Sequence, residues 1–430
     1  MGESPARRIM KNQIMDAADS PRALEALYRA DPEEFRRAFR VAFAGRPDSA
    51  ILQVWHERLF FAGPGEVPQS ASPRWRARDI GLTILLSLVA GTLAKLPQFL
   101  PMLDDERFYN RNLGGIIAGA LMVYFCIQKG CRTRVVGTLI ALLLGAVLYL
   151  NLLPDRARSQ TIVLACLHMP FFFWSLLGIA FLGGAWRNLP GRMDYVRYNG
   201  ELLVYSTMVL LGGMVLTGLT VALFGLIDLK IETWYMKNVV VYGAIASPLV
   251  ATLLVERVVG DRFKIAPLLA RVFTPLFLLT VVAYLLAMVL KQRSPFTDRD
   301  FLVAFNGLLL VVLGLCVFSI SERGPKESVG VVDRMNMGLV SVTLLIDLVA
   351  LAAILFRLTS YGFTPNRVAV LGANLLAFGH LFGILWYYVR FARRRATMDD
   401  LNRWIVGFLP AYTAWTLVVA VGLPLVFWFS

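Results

Sequence analysis

Residues 79–430 form a series of apolar runs, each about 20 residues long, and these runs restrict what the chain can fold into. At a rise of about 1.5 Å per residue, a helix of this length crosses the roughly 30 Å hydrocarbon core of a bilayer. Apolar residues make up 57% of the chain and charged residues only 17%, whereas roughly a quarter of a soluble chain is charged. The sequence therefore predicts an all-α, polytopic membrane protein.

About eleven spans can be counted between the interruptions of these runs. Their predicted boundaries are 79–100, 112–128, 135–153, 160–184, 200–226, 234–255, 268–290, 301–320, 335–356, 365–389 and 404–429. Together they define one predicted transmembrane domain over residues 79–430.

Lysine and arginine are concentrated in alternate loops, such as "KGCRTR" at 129–134 and "RFARRR" at 390–395. Basic loops are expected to be cytoplasmic, which places the N-terminus inside and, with an odd number of spans, Ser430 outside a cell inner membrane. The chain opens with polar sequence rather than a signal peptide, so the first span is expected to act as an uncleaved anchor. The net charge of +14 is then explained by these loops and by anionic lipid, and no nucleic-acid partner is expected.

Residues 1–65 are polar and predict a small cytoplasmic helical domain, followed by a linker at 66–78. Ser20 before Pro21 and Asp31 before Pro32 are typical N-caps, and a third helix is expected to start at Asp48. The predicted core consists of Leu24, Leu27, Tyr28, Phe35, Phe39, Phe43, Leu52, Trp55 and Leu59. Such a domain offers a surface for a cytoplasmic protein partner.

Ionisable residues inside spans are costly and therefore functional candidates, here for ion or proton coupling: Asp347, Lys95 and His380. Asp347 has no basic residue within two turns. If the ninth and tenth spans turn around Tyr361, Asn374 lies at the depth of Asp347, so the two could form a polar pair that holds the helices together. A coupling site is the alternative, and Lys95 is another candidate partner for Asp347. Lys95 could instead reach the interface, and His380 could be a hydrogen-bonded packing residue.

The segment "RLTSYGFTPNR" at 357–367 joins these two spans. Thr364 and Pro365 are typical of a helix start, and Arg367 would then oppose the dipole of the new helix. A bound anion would reverse that effect, so the segment predicts either a site for an anionic solute or lipid head group, or non-specific binding of lipid phosphate. The candidate ligand-binding residues are Arg357, Tyr361, Asn366, Arg367 and Asn374.

This segment, followed by "VAVLGANLLAFGH", resembles the bacterial membrane family called domain of unknown function 4153. The family motif is Arg, a few residues, Tyr-Gly-Leu-Thr, one residue, Asn-Arg, and Phe363 replaces the Leu here. The N-terminal "SPRALEALYRADPEEFRRAF" is similar to a segment in some relatives. The resemblance implies no activity; it implies a recurring signature of Arg357, Tyr361, Gly362, Thr364, Asn366 and Arg367.

Three classes of function follow. The first is a permease-like or envelope-associated protein that handles an anionic solute or lipid at the outer side. The second is a membrane glycosyl- or lipid-modifying transferase, suggested by acidic Asp104, Asp105 and Glu106 after the first span, although this loop of about ten residues is short for one. The third is a scaffold or regulator that acts through the N-terminal domain. Enzymatic activity is less expected than its absence, and the few histidines and the cysteine spacing predict no metal or other cofactor.

Overall fold

The computed structural model describes residues 5–46, 48–60, 77–156, 159–225, 229–256, 265–290, 299–321 and 329–429. The chain divides into two compact units, Met1–Arg74 and Trp75–Ser430. Every regular element in the described residues is a helix, so the all-α prediction is confirmed.

The first unit contains four helices: α1 (Pro5–Asp16), α2 (Pro21–Ala30), α3 (Pro32–Gly45) and α4 (Ala50–Phe60). Two of them begin with the caps that the sequence predicts. The Ser20 hydroxyl accepts a hydrogen bond from the Ala23 N–H at 3.4 Å, and the Asp31 carboxylate accepts one from the Glu34 N–H at 3.0 Å. Helix α1 was not predicted, because its sequence lacks a comparable cap.

Helix α4 begins after Ser49 rather than at the predicted Asp48. The Ser49 hydroxyl accepts a hydrogen bond from the Leu52 N–H at 3.4 Å, so it takes the role expected of the carboxylate one residue earlier. The core of the unit includes most of the predicted residues, whereas Leu27, Tyr28 and Phe43 are only partly buried. Its buried members are Ile14, Ala17, Ala18, Leu24, Phe35, Ala38, Phe39, Ala42, Leu52, Trp55 and Leu59.

The helices of the second unit are α5 (Ala77–Ala94), α6 (Leu96–Phe99), α7 (Asp105–Lys129), α8 (Thr133–Leu152), α9 (Gln160–Phe181), α10 (Leu189–Gly225), α11 (Glu232–Leu254), α12 (Ile265–Leu290), α13 (Arg299–Ser321), α14 (Val331–Tyr361), α15 (Pro365–Ala392) and α16 (Met398–Val426). Helix α11 contains a π-helical turn at Met236–Val240. Helix α16 is interrupted at Phe408 and contains a second π-helical turn at Val418–Gly422.

Nine helices of the described part are long and apolar enough to cross a membrane: α5, α7 to α11 and α14 to α16. The other two predicted spans, 268–290 and 301–320, coincide with α12 and α13. These helices contain the shorter apolar stretches Val272–Ala283 and Phe305–Ser321. The length and composition of the helices confirm a multi-pass membrane protein.

Short loops make consecutive long helices antiparallel, so the loops alternate between two ends of the bundle. We call the end with loops 130–132, 182–188 and 393–397 the basic end, and the end with loops 100–104, 153–159 and 362–364 the opposite end. The distribution of arginine predicts that the basic end faces the cytoplasm.

A buried hydrogen-bond network fixes α14 within the bundle. The Asn336 side-chain amide donates to the Ser319 hydroxyl at 2.9 Å and to the Tyr388 hydroxyl at 3.2 Å. The Thr274 hydroxyl donates to the amide oxygen of Asn336 at 3.3 Å. Because these partners lie on α12, α13 and α15, one amide connects four helices and sets the position of the rest of α14.

Helix α15 packs closely against α16 through two glycines. A Cβ atom at Gly372 would lie under 3.0 Å from the Trp415 ring, and one at Gly383 would lie under 3.0 Å from the Trp404 ring. The two glycines are separated by the same number of residues as the two tryptophans, in the opposite order, as expected for antiparallel helices. The indole rings therefore occupy the space that the side chain of any residue other than glycine would need at positions 372 and 383.

Candidate functional site

The loop between α14 and α15 consists of Gly362, Phe363 and Thr364, because α14 continues to Tyr361. Gly362 has a φ of +79°, a backbone conformation that glycine adopts at little cost. The Thr364 hydroxyl accepts a hydrogen bond from the Arg367 N–H at 3.4 Å. The structure therefore confirms the predicted helix start, with Thr364 as the N-cap.

Arg367 folds back over this loop. Its guanidinium donates to the carbonyl oxygens of Tyr361 and Gly362 at 2.8 and 2.7 Å, and lies 5.7 Å from the centroid of the Tyr361 ring. These carbonyls belong to the C-terminal end of α14, where the helix dipole favours a positive charge. The positive charge of Arg367 is unfavourable at the start of α15 but favourable at the end of α14, where its guanidinium lies. No bound anion is therefore needed to explain an arginine at this position.

Tyr361 contacts Arg367, but the five predicted ligand-binding residues do not all gather in one place. Tyr361 and Asn366 are exposed, and Arg357 is half-buried. Asn374 is buried about 14 Å along α15 from its first residue. Its amide nitrogen donates to the Val370 carbonyl at 2.7 Å, within the same helix. The structure thus shows a turn-closing role for Arg367, and anion binding by these five residues stays a prediction.

Loss of this closure is expected to loosen the turn. In an Arg367→Gln variant, the two charge-assisted bonds to main-chain carbonyls are lost, and an exposed bond of this kind contributes roughly 1 kcal/mol. We expect amide hydrogen exchange across residues 361–368 to accelerate by about tenfold relative to the wild type. The control is Asn366→Ala, which changes an exposed neighbour. Equal exchange rates in Arg367→Gln and the wild type would contradict a closing role for this arginine.

Asp347 is fully buried in the second unit, midway along α14. Neither of its carboxylate oxygens has a hydrogen-bond partner in the described part of the chain. Thr343, one turn earlier on the same face, is also fully buried, and its hydroxyl lacks a partner there as well. Burying an ionised carboxylate without a partner is costly, and a bound proton or cation removes that cost. Asp347 is therefore a candidate for binding a proton or a cation.

The predicted pair of Asp347 and Asn374 does not form a hydrogen bond in the structure. The amide oxygen of Asn374 has no hydrogen-bond partner among the residues that the structure describes. The prediction took Tyr361 as the centre of the turn, but α14 continues through this residue and the turn follows it. Asp347 consequently lies about 21 Å from the turn and Asn374 only about 14 Å. His380, about 22 Å along α15, is the residue at the depth of Asp347.

His380 is part of the contact between α15 and α16. Its Nδ1 lies 3.0 Å from the Tyr412 hydroxyl, and its ring stacks on Phe408 with 4.7 Å between centroids and 13° between planes. The Trp404 indole N–H donates to the His380 carbonyl at 3.1 Å. The side chain is buried, and its Nε2 has no partner in the described residues. The packing role of this histidine is therefore evident, and a role in coupling stays a prediction.

Lys95 lies between α5 and α6 at the opposite end of the bundle, and its contacts are with α11 and Phe99 rather than with Asp347. Its ammonium group donates to the Asn238 side chain and lies 5.9 Å from the Phe99 ring centroid and 5.6 Å from that of Tyr242. The side chain is buried. An amide and two aromatic faces thus hold this lysine, so it neither reaches solvent freely nor serves as the observed counter-ion of Asp347.

A cavity of about 600 Å³ at the basic end was not predicted. It is lined by residues from the start of α10 and from α16. The Arg197 Nε donates to the Ser321 carbonyl at 2.7 Å and its Nη1 to the Asp194 carboxylate at 2.9 Å, while Arg403 pairs with Asp399 at 2.8 Å. The sequence predicts for such arginines only a role in orientation. Their carboxylate partners are local, three and four residues away in the same helix, but the cavity lies between α10 and α16, so no local pattern could reveal it.

Comparison with protein-family models, with curated proteins and with solved structures finds no match to this chain. The resemblance to domain of unknown function 4153 therefore stays a prediction. The fold itself defines the class of protein as a polytopic α-helical membrane protein.

Proposed function

We propose that the protein is a membrane carrier for an anionic solute or lipid, in which protonation of Asp347 is coupled to movement of the substrate. The observation that carries the proposal is a fully buried carboxyl group with no hydrogen-bond partner in the described residues. Polar groups of this kind inside membrane helices are costly and commonly line ion or proton routes. The half-satisfied Asn374 and His380 on the neighbouring α15 supply further polar atoms in the same helix pair.

The acidic group that suggested the transferase alternative has a structural role in α7. The Asp104 carboxylate accepts a hydrogen bond from the Arg107 N–H at 2.8 Å, which makes it the N-cap of α7. Asp105 and Glu106 are exposed in the first turn, where negative charge favours the helix dipole. A capping role accounts for this acidic group, so we propose the carrier rather than the transferase.

The proposal can be tested with the full chain in liposomes that contain the pH indicator pyranine. Gradients of inorganic phosphate, citrate and glutamate are applied in turn, and the internal pH is recorded. We expect at least one anion to drive a proton flux in the wild type. Asp347→Asn should reduce this flux tenfold or more, because the amide cannot release a proton, whereas Asp347→Glu should retain part of it.

Asp105→Asn is the matched control, because it neutralises an exposed carboxylate that lies outside the proposed route. It should transport like the wild type. A normal proton flux in Asp347→Asn would refute the coupling role, and the absence of any anion-driven flux in the wild type would count against the carrier itself.

A further inference from the structure

A groove of about 380 Å³ lies between α9, the start of α10 and α16. Its wall is mainly apolar and includes Trp174, Gly178, Leu182, Leu409, Pro410 and Leu417. None of the residues that line it is acidic. Leu182 follows the end of α9 and Leu409 follows the interruption of α16, so the groove lies toward the basic end of the bundle. Its surface suits a hydrocarbon chain.

The loop after α9 brings Trp186 and Arg192 to this groove and places Arg187 against the same Trp186 ring. The guanidinium carbons of Arg187 and Arg192 lie 4.9 and 5.8 Å from the centroid of the Trp186 ring, which is 48% exposed. The Arg192 Nε donates to the Trp186 carbonyl at 2.7 Å and its Nη1 to the Val406 carbonyl at 3.2 Å. These bonds fix the loop against α16 and leave further N–H donors of Arg192 unused.

Arg187 is exposed and stacks on the Trp186 ring, and it makes no hydrogen bond or ion pair with the described residues. Arg187 also lines the neighbouring cavity at the basic end, together with Asp194 and Asp399, which pair with Arg197 and Arg403. The charge of Arg187 is thus not neutralised by an ion pair of its own, and it stands beside the apolar groove. Tryptophan is enriched at membrane interfaces, where its ring lies at the level of the lipid head groups. The arginines and the tryptophan suit a lipid head group, and the apolar groove beside them suits an acyl chain.

We infer that this groove binds an anionic phospholipid of the leaflet at the basic end, with its phosphate at Arg187 and Arg192 and one acyl chain along the groove. Guanidinium groups donate two parallel hydrogen bonds to phosphate oxygens. The apolar wall distinguishes this lipid from a soluble anion, which would leave that wall uncovered. The charge distinguishes it from a zwitterionic lipid, whose own cation opposes the two arginines.

The test uses the full chain in detergent micelles that contain equal amounts of phosphatidylglycerol and phosphatidylcholine. Native mass spectrometry counts the lipid molecules that stay bound. We expect the wild type to retain phosphatidylglycerol in preference, and Arg187→Gln to reduce this preference roughly fivefold. Ala414→Phe places a ring in the groove and should reduce the retention of both lipids.

Arg134→Gln is the matched control, because it removes an exposed arginine at the same end of the bundle but outside the groove. It should leave the lipid preference unchanged. An equal loss in Arg134→Gln and Arg187→Gln would show a general effect of surface charge and overturn the proposal, as would equal retention of the two lipids by the wild type. A dimer that retains no lipid in the same experiment would show that a second copy of the chain covers the groove, and would also overturn the proposal.

A second measurement does not depend on the groove-filling variant. Phosphatidylglycerol with brominated acyl chains quenches tryptophan fluorescence on contact. We expect stronger quenching of the wild type by brominated phosphatidylglycerol than by brominated phosphatidylcholine, and a smaller difference in Trp186→Phe. Equal quenching by the two lipids would refute an anionic lipid in the groove.

Discussion

Gly383→Ala and Gly372→Ala are each expected to reduce the free energy of unfolding by roughly 1–3 kcal/mol, the range found when a packed core is overfilled. The added methyl group would lie under 3.0 Å from an indole ring, Trp404 or Trp415, and these rings are rigid. The two helices must therefore separate or a tryptophan must leave its rotamer. Thermal unfolding of the purified protein in detergent measures the effect.

The control for these variants is Gly218→Ala in α10, where no atom lies within 4 Å of the added Cβ. Alanine is favoured over glycine within a helix by roughly 0.5–1 kcal/mol, so this variant should be neutral or more stable. A combined Gly383→Ala and Trp404→Leu variant should recover part of the loss. Equal melting temperatures for Gly383→Ala and Gly218→Ala would contradict the close packing of α15 on α16.

Asp347→Leu is expected to increase stability, by roughly 1–3 kcal/mol, because it removes a buried polar group that has no partner in the described residues. Asp347→Asn should have a smaller effect, since an amide also needs hydrogen bonds. The same variants are expected to lose proton coupling, which is the usual trade between stability and function at a working site. Thermal unfolding of the purified variants measures the gain.

Asn336→Leu provides the matched comparison on the same helix and at the same full burial. It would leave the Ser319 and Tyr388 hydroxyls without their hydrogen bonds, so it should lower stability by roughly 1–3 kcal/mol. Opposite shifts in the two leucine variants are therefore the expected pattern. A loss of stability in Asp347→Leu as large as that in Asn336→Leu would show that Asp347 has a structural partner.

The membrane spans could be predicted because each depends on a continuous property of the chain, an apolar run that matches the thickness of the bilayer. The caps at Ser20, Asp31 and Thr364 could be predicted for a similar reason, since a cap bonds within three residues of itself. Both kinds of feature are local. They required no knowledge of which helices pack together.

The depth of Asp347 relative to Asn374 could not be predicted, because the end of α14 is not marked by hydropathy. "RLTSY" is more polar than the preceding run, yet it continues the helix to Tyr361 and moves the turn. The hydrogen-bond partners of Arg367 could not be predicted from the sequence for another reason. They are main-chain carbonyls, which every residue has, so only the folded turn shows which of them accept.

The contact of α15 with α16 also restricts how the protein can move. Sliding one helix along the other by a single turn, about 5.4 Å, would bring a side chain larger than glycine against at least one of the two indole rings, because Val368 and Leu376 lie one turn on either side of Gly372. The two helices are therefore held in register and travel as one rigid body that includes His380 and Tyr412. If transport requires a rocking motion, its hinge lies outside this pair, and cross-linking α15 to α16 should leave transport intact.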